Sequence, residues 1–462
     1  MKRNPFFFLL IVIISSSCTK VSVKERPNVI IINIDDMGWK DVGYMGSGYY
    51  ETPHIDNLAS QGMQFTNAYA ASANCAPSRA SLLTGKWTTR HGIYTVGSSE
   101  RGKSEDRKLI PTKNTKILST RHQVLPELMQ MNGYTTCHAG KWHLSDDPME
   151  YGFDVNIGGG GNGYPHSYYP PYKNVAISGG DDQHLSDVIM EQTIGFIDTV
   201  SHPFFLHYAP YAVHTPIQPV KTLLDKYEEK PASGGQDNAL YATMVENIDR
   251  NIGLLVAKLK DRDLYRNTVL IFTSDNGGLY GVTNQYPLRA GKGSYYEGGI
   301  RVPFFILWKD QVRGKSKSDT PITHLDIFPT VLQVTGANAN EPLDGNTLMP
   351  LLMGEVSDMD RALFWHFPVY LQKYKAHNSE NRDTLFRTRP GSVVRHGKWK
   401  LHYYFEHNEM ELFNLDDDIG ERTNLVEEMP DKAGEMLLLL KKWWKSSDAP
   451  IPTELNPAYC HK

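Results

Sequence analysis

Cysteine is scarce in this chain, four residues in 462, which excludes a fold built on a disulfide framework. No apolar run reaches the roughly 20 residues that a membrane-spanning helix needs; Phe6 to Ile14 is only nine residues long. Neither charge sign is in excess, with 48 Lys plus Arg against 52 Asp plus Glu and a net charge of −4. The chain therefore lacks the basic footprint of a nucleic-acid binder, and no nucleic-acid partner is expected. Internal repeats and low-complexity tracts are absent too, which excludes solenoid and fibrous classes. What remains is 40% hydrophobic and 22% charged, enough apolar mass for a sizeable core. At about 100–200 residues per domain, this length allows two or three domains, or one large α/β domain with an appendage.

The first residues read as a targeting segment. Lys2 and Arg3 precede the apolar run, and Ser15, Ser16 and Ser17 lead into Cys18. A positive start, a short apolar stretch and small residues before the cleavage point mark an export signal over 1–17. Small residues immediately before a cysteine resemble a bacterial lipoprotein signal, with Cys18 carrying the lipid and 18–26 forming a tether. The expected location is outside the cytoplasm, anchored in a bacterial membrane at the periplasm or cell surface, with membrane contact through the lipid alone. Cys75, Cys137 and Cys460 then remain, an odd number in an oxidising compartment.

From Asn28 to about Met353 short apolar runs alternate with helical patterns, predicting an α/β fold with a large, mixed but mostly parallel sheet sandwiched by helices. The expected strands are Asn28 to Ile34, Tyr134 to His138, Phe204 to Tyr208, Thr268 to Thr273 and Phe304 to Trp308; the expected helices include Leu185 to Asp198, Ala239 to Lys260 and Ile327 to Thr335. Ile157 to Tyr172 is rich in Gly, Tyr and Pro and reads as a long loop. After Gly354 the pattern turns to antiparallel strands, with a hairpin turn at His396-Gly397 and a closing helix from Pro430 to Trp444. The expected division is 27–354 for a catalytic domain and 355–462 for a smaller α+β subdomain.

Ligands of open α/β sheets bind beyond the carboxyl ends of the strands. There, Asn28 to Ile34 runs into Asp35 and Asp36, and Thr268 to Thr273 runs into Ser274, Asp275 and Asn276. Three carboxylates and an amide make an oxygen-only set suited to a hard divalent cation, Ca²⁺ over Mg²⁺ when several protein oxygens bind directly. Asp and Asn at such places also cap helices and shape turns. Cys75 stands just before Pro77, a good first helical residue, with Gly85 as a stop. A helix N-terminus favours anions, so the residues alone predict an activated thiol beside an anion site.

Cys75-Ala76-Pro77-Ser78-Arg79 followed by Leu83-Thr84-Gly85 resembles the signature of the formylglycine-dependent sulfatases of the alkaline-phosphatase superfamily. With Asp35-Asp36 and Asp275-Asn276, the resemblance covers Asn28 to about Leu415. It implies that Cys75 is converted to formylglycine (3-oxoalanine) by a formylglycine-generating or anaerobic sulfatase-maturating enzyme. It further implies Ca²⁺ on Asp35, Asp36, residue 75, Asp275 and Asn276. Gly140-Lys141-Trp142-His143, the loop bearing His214 between Pro210 and Pro216, and Lys292 between glycines also match the pattern. The implied catalytic set is Cys75, Arg79, Lys141, His143, His214 and Lys292: Arg79 and Lys141 hold nucleophile and sulfate, His214 and Lys292 serve the leaving alcohol, and His143 is the base of the elimination step. The implied activity is sulfuric ester hydrolysis on a sulfated carbohydrate, an oligosaccharide derived from a polysaccharide. Phosphate or phosphonate ester hydrolysis by the same site, or an inactive glycan-binding lipoprotein, are the competing expectations.

Asn162, Tyr164 and His166, with Tyr168, are candidates for a sugar subsite on the long loop, and Trp39 and His91 are similar candidates. The segment from Thr323 to Thr330, with His324 and Asp326, is structural in the sulfatase pattern, where phosphatase relatives place a second metal. Arg301 is expected to order its loop.

Overall fold

The strand Asn28–Ile34 is buried along its whole length, and everything else is arranged around it. Val29 and Ile31 face one layer of helices and Ile30, Ile32 and Ile34 the other, as alternation along a strand covered on both sides requires. The computed structural model describes residues 26–200, 203–374 and 380–460; the expected export segment 1–17 and Cys18 lie outside them, as does the tether apart from Arg26. Among the described residues no helix is long and apolar enough to cross a membrane.

The main sheet has eight strands, in the order Val155–Ile157, Thr135–Gly140, Phe204–Ala209, Asn28–Ile34, Thr268–Ser274, Phe304–Trp308, Met63–Phe65 and Ser316–Ser318. Phe304–Trp308 runs antiparallel to both its neighbours, and the other pairings are parallel. Helices Leu185–Thr199 and Ala239–Asp261 cover one face. Cys75–Thr84, Leu125–Met131 and Ile327–Thr335 cover the other. The mostly parallel sandwich is thus as the apolar runs predict, with strand ends shifted by one or two residues. Met63–Phe65 and Ser316–Ser318, three residues each, are too short to show a period and extend the sheet beyond the expected strands.

A second, antiparallel sheet orders Ala362–Phe367, Gly391–His396, Trp399–Tyr404 and Glu409–Asn414. Gly397 turns the predicted hairpin at φ 55°. The helix Pro430–Ser446 covers one face of this sheet through Met436, Leu440 and Trp443, against Val394, Leu401 and Leu412. The opposite face, with Leu363, Trp365 and Val393, rests on Tyr69, Tyr295 and Ile300 of the main body. A buried ionic clasp reinforces the seam: Glu297 accepts from Lys400 at 2.8 Å, Arg301 at 2.7 Å and Tyr69 at 2.8 Å. Such a group stays buried because its charge is fully paired, and Arg301 orders this seam.

Candidate active site

The site is assembled at the carboxyl ends of four adjacent strands. Asp35 and Asp36 follow the central strand, Asp275 and Asn276 its neighbour, Lys141 and His143 the strand Thr135–Gly140, and His214 the strand Phe204–Ala209. Gly140, at φ 108°, makes the turn into Lys141; a Cβ there would stand 2.1 Å from the Ala209 carbonyl oxygen, so only glycine lets the two strands end this close together. Asp36 and His143 adopt left-handed backbone, at φ 61° and 65°. That conformation costs a non-glycine residue of order 1–3 kcal/mol and is concentrated at functional sites.

Asp35, Asp36, Asp275 and Asn276 are buried. Lys141 Nζ donates to both Asp35 oxygens, at 2.8 and 2.7 Å. Arg79 Nε donates to Asp275 at 2.8 Å, its Nη1 donates to the Lys141 carbonyl at 2.8 Å, and its Nη2 lies 3.7 Å from Asp35. Lys292 Nζ donates to Asp36 at 2.7 Å, with His214 Nε2 3.6 Å from the same oxygen. Asn276 Nδ2 donates to the other Asp36 oxygen at 2.8 Å, which leaves the buried Asn276 Oδ1 with no hydrogen-bond partner. Single ligand atoms of Asp35, Cys75 and Asp275 lie within 4.8 Å of one another, as do those of Asp36, Cys75 and His214. All the residues expected in the catalytic and metal sets therefore meet in one place.

Cys75 opens the helix Cys75–Thr84, every residue of which is buried. The helix starts two residues before the expected Pro77, which still falls in the first turn, where backbone N–H groups have no intrahelical partner. Gly85 ends it at φ 64°, as predicted. The expectation of an activated thiol fails. Burial pushes the Cys75 thiol up to about 11, against the pull of Lys141 and Lys292, because desolvating a thiolate outweighs both cations. As a cysteine, residue 75 is held toward its neutral thiol form.

The other groups are perturbed in readable directions. Burial pushes the Asp35 carboxyl up to about 8 against the pull of Lys141. Burial acts the same way on Asp36, but Lys292 and His214 together prevail and hold it well below the usual carboxylate range. His214 is pushed down to about 3, by burial first and then by Lys292. His143 is also held far below its ordinary value by burial and by Lys141. Both imidazoles are neutral at pH 7.

A cleft of about 280 Å³ opens onto Cys75, His143, His214 and Lys292. Of the loop candidates, Tyr164 lines it, 51% exposed and stacked on the His214 ring at 6.0 Å. Asn162 and His166 instead serve the loop itself: the Asn162 amide donates to the Asn174 carbonyl at 2.8 Å, and the His166 backbone N–H to the Asn174 side chain at 2.7 Å. Tyr168 is buried, its hydroxyl donating to the Tyr211 carbonyl at 2.6 Å. His91 lies 3.0 Å from Ser81 and braces the helix of Cys75; Trp39 lies under the Arg301 guanidinium, 5.6 Å from ring centre. His324 is held between Ser78 and Thr273, at 3.1 and 2.9 Å, and Asp326 pairs with Arg361, so that segment is structural. Sequence reasoning missed Arg101, Tyr374 and Arg387, which wall the cleft from segments with no strand-end signal.

The sulfatase family model matches residues 27–337, and a second model, N-sulphoglucosamine sulphohydrolase, C-terminal, matches residues 291–443. The chain is 32% identical to a sulfatase of Formosa agariphila, over 96% of this chain and 93% of the relative. It is 31% identical to human N-acetylgalactosamine-6-sulfatase, over 86% and 81%. Among solved structures, Ps i-CgsB superposes with a TM-score of 0.74 at 30% identity, covering 94% of this chain and 95% of that one. That protein has also been solved in complex with k-i-k-neocarrahexaose.

Proposed function

This chain belongs to the sulfatase family and is a sulfuric ester hydrolase; from that premise we propose that it removes sulfate from a sulfated carbohydrate, an oligosaccharide derived from a polysaccharide, with residue 75 as formylglycine and Ca²⁺ beside it. The observation that carries the reading is the placement of Cys75 within ligand distance of both acidic sets, at the N-terminus of a buried helix. The carbohydrate part draws on two relatives, one named for N-acetylgalactosamine 6-sulfate and one solved with a carrageenan-type hexaose.

The residues present fit a hard cation. Three buried carboxylates converge, Asn276 Oδ1 is a buried oxygen with nothing to bind, and burial leaves Asp35 short of positive charge despite Lys141. Asp35, Asp36, Asp275 and Asn276 would hold Ca²⁺, which as a Lewis acid neutralises sulfate oxygens and orients the nucleophile. They also fit a modified residue 75, since the unmodified thiol is protonated there and makes a poor nucleophile. Formylglycine at residue 75 would supply, as its hydrate, two hydroxyls on one carbon, the chemistry of a nucleophile able to release the sulfate it accepts.

The chain's own groups do the rest. Arg79 fixes Asp275 and the Lys141 carbonyl with its rigid fork of donors. Lys141 and Lys292 present positive charge where the sulfonyl oxygens must lie. His214, turned by the 2.7 Å contact of its Nδ1 with the Thr215 carbonyl, points Nε2 toward Asp36 and the cleft, where with Lys292 it serves the leaving alcohol. His143, whose Nδ1 is buried without a partner, takes the proton of the elimination step.

Two measurements test this. Peptide mass spectrometry of protein made with a sulfatase-maturating enzyme should find the residue-75 peptide lighter by the exchange of thiol for aldehyde, and hydrazide-reactive. That protein should release sulfate from carrageenan oligosaccharides or N-acetylgalactosamine 6-sulfate, and cleave para-nitrophenyl sulfate in preference to para-nitrophenyl phosphate. An unconverted Cys75 in active protein would sink the mechanism, and a phosphate preference would sink the substrate class. We also propose export and lipid anchoring at Cys18; Cys18→Ser should move the protein from the membrane fraction to the soluble one, and unchanged fractionation would refute the anchor.

A further inference from the structure

Among the described residues, two guanidinium groups lining the cleft make no ion pair with a carboxylate. Arg387, on the short strand Phe386–Thr388, is 8% exposed and faces the cleft. Its Nε donates to the Gln372 carbonyl at 3.0 Å and its Nη1 to the Lys292 carbonyl at 3.3 Å, both neutral acceptors. Its guanidinium carbon stands 3.5 Å from the centre of the Tyr374 ring. Arg101 lines the same cleft from a distant segment. The two are close enough to feel each other: burial, and then the Arg101 charge, hold Arg387 below the ordinary arginine value.

Elsewhere the buried Arg79 and Arg301 pair with Asp275 and Glu297, and the half-buried Arg361 and Arg389 with Asp326 and Glu406; the buried Arg395 donates instead to the Gly397 carbonyl and the Tyr69 hydroxyl, away from the cleft. Among the described residues, Arg101 and Arg387 make no such pair. Lys141 and Lys292 already supply cations to the sulfate under attack, each tied to a site carboxylate. Two further like charges on the cleft wall repel each other and Lys292 until something negative joins them. An arginine's planar fork matches the oxygens of a sulfate ester or a carboxylate better than it matches neutral hydroxyls.

We propose that Arg101 and Arg387 form a subsite for a second anionic group on the substrate, a sulfate ester or uronate carboxylate borne by the sugar next to the one that is desulfated. The inference rests on the sugar sulfatase reading above and narrows it to glycans with more than one negative charge. Arg387, from the C-terminal part of the chain, and Arg101, from the N-terminal half, together select for charge density, with Tyr374 holding the Arg387 plane.

The test measures binding by titration calorimetry on the full chain carrying Cys75→Ala, so that nothing is turned over. Three disaccharide probes share one monosulfated N-acetylgalactosamine and differ in the neighbour: neutral galactose, sulfated galactose or glucuronate. The expected result is affinity at least about tenfold higher for one or both doubly anionic probes, shrinking with added salt. Whichever probe gains identifies sulfate or carboxylate as the partner. Adding Arg101→Gln, at a half-exposed position, should cut that preference to below about threefold, and Arg387→Lys should do the same.

Equal affinity for the three probes, or no binding of the charged pair, overturns the inference. An equal loss on all probes in the variants also overturns it, since the arginines would then serve the scissile sulfate. A protein that releases sulfate from para-nitrophenyl sulfate but binds the probes equally fails this inference alone. One that is converted at residue 75 yet releases no sulfate from any ester fails the underlying reading and this inference with it.

Discussion

Lys141 grips Asp35 by both carboxylate oxygens, at 2.8 and 2.7 Å, with each side chain fully buried. Among the described residues only Arg79 Nη2, at 3.7 Å, offers Asp35 a second positive charge. Without Lys141 the burial of Asp35 is less opposed and its carboxyl takes up a proton, so the loss falls below the roughly 3–5 kcal/mol of a buried charge left unpaired. Lys141→Met should therefore lower the melting temperature of the metal-free protein by several degrees and reduce sulfate release by at least about 10²-fold, the scale of losing one preorganised charge contact. Thermal unfolding in chelator and sulfate release with Ca²⁺ present read the two effects separately. A variant with normal turnover would remove Lys141 from the site.

The orphaned oxygen of Asn276 gives a metal prediction. Ca²⁺ bound to the native state alone should raise apparent stability, by about 2.7 kcal/mol at a hundredfold excess over Kd. Asn276→Leu keeps the volume and deletes the oxygen. It should weaken the Ca²⁺-dependent rise in melting temperature, with Mg²⁺ a poor substitute in the parent protein because it demands tighter geometry. Melting curves across a calcium titration check this; an identical calcium response in the variant would take Asn276 out of the ligand set.

Much of this site was legible because Asp35, Asp36, Lys141, His143, His214, Asp275 and Asn276 lie within a few residues of a strand end, and Cys75 and Arg79 at a helix start marked by Pro77. Asp35 and Asp36 abut a fully buried seven-residue strand, and Lys141 and His143 follow a strand at a glycine that nothing larger can replace. Such signals are local. Three things were not local. Arg387 and Arg101 share a wall although they come from segments far apart in the chain, Arg387 on a three-residue strand that pairs with Leu371–Gln372. The thiol of Cys75 looked activated because the helix terminus is visible in sequence, while the burial that overrides it comes from other segments. Asn162 spends its amide on the Asn174 carbonyl of the same loop, and the His166 ring reaches no further than Tyr164, 6.1 Å away at the cleft wall. A polar loop residue's partner is fixed by chain path and not by its type.

His214 sits 3.6 Å from Asp36 and stacks under Tyr164 at the cleft mouth, where a departing alcohol must pass. Without substrate the imidazole is neutral, but an anionic sulfate ester bound beside it favours the protonated ring, and a proton donor matters most when the leaving group is a poor one. His214→Ala should therefore cost little with a nitrophenyl sulfate, whose phenolate leaves unaided, and about 10²–10⁴-fold with a sugar sulfate. The ratio of kcat/KM for the two esters is the readout. A uniform loss across both would assign His214 to holding the sulfate.

Buried histidines outside the site set the acid limit of stability. His366 lies between Ser392 and the Pro450 carbonyl, at 2.7 and 3.0 Å, and His91 against Ser81. Burial pushes both down to about 3, whereas in the unfolded chain they titrate near 6.5. Their folded-state values are depressed, so the stability they contribute is complete above pH 6.5 and is lost as pH falls toward 3, because the unfolded state then binds protons that the native state refuses. Each contributes a slope of up to about 1.4 kcal/mol per pH unit within that window. Asp249, which burial pushes up to about 7, works in the opposite sense over part of the range. His366→Gln keeps a polar side chain that can reach Ser392 and loses the titration. Urea unfolding at several pH values between 4 and 6.5 should give the variant a shallower dependence of stability on pH than the parent, even where its absolute stability is lower. Parallel curves for the two proteins would mean that His366 is protonated in the folded state.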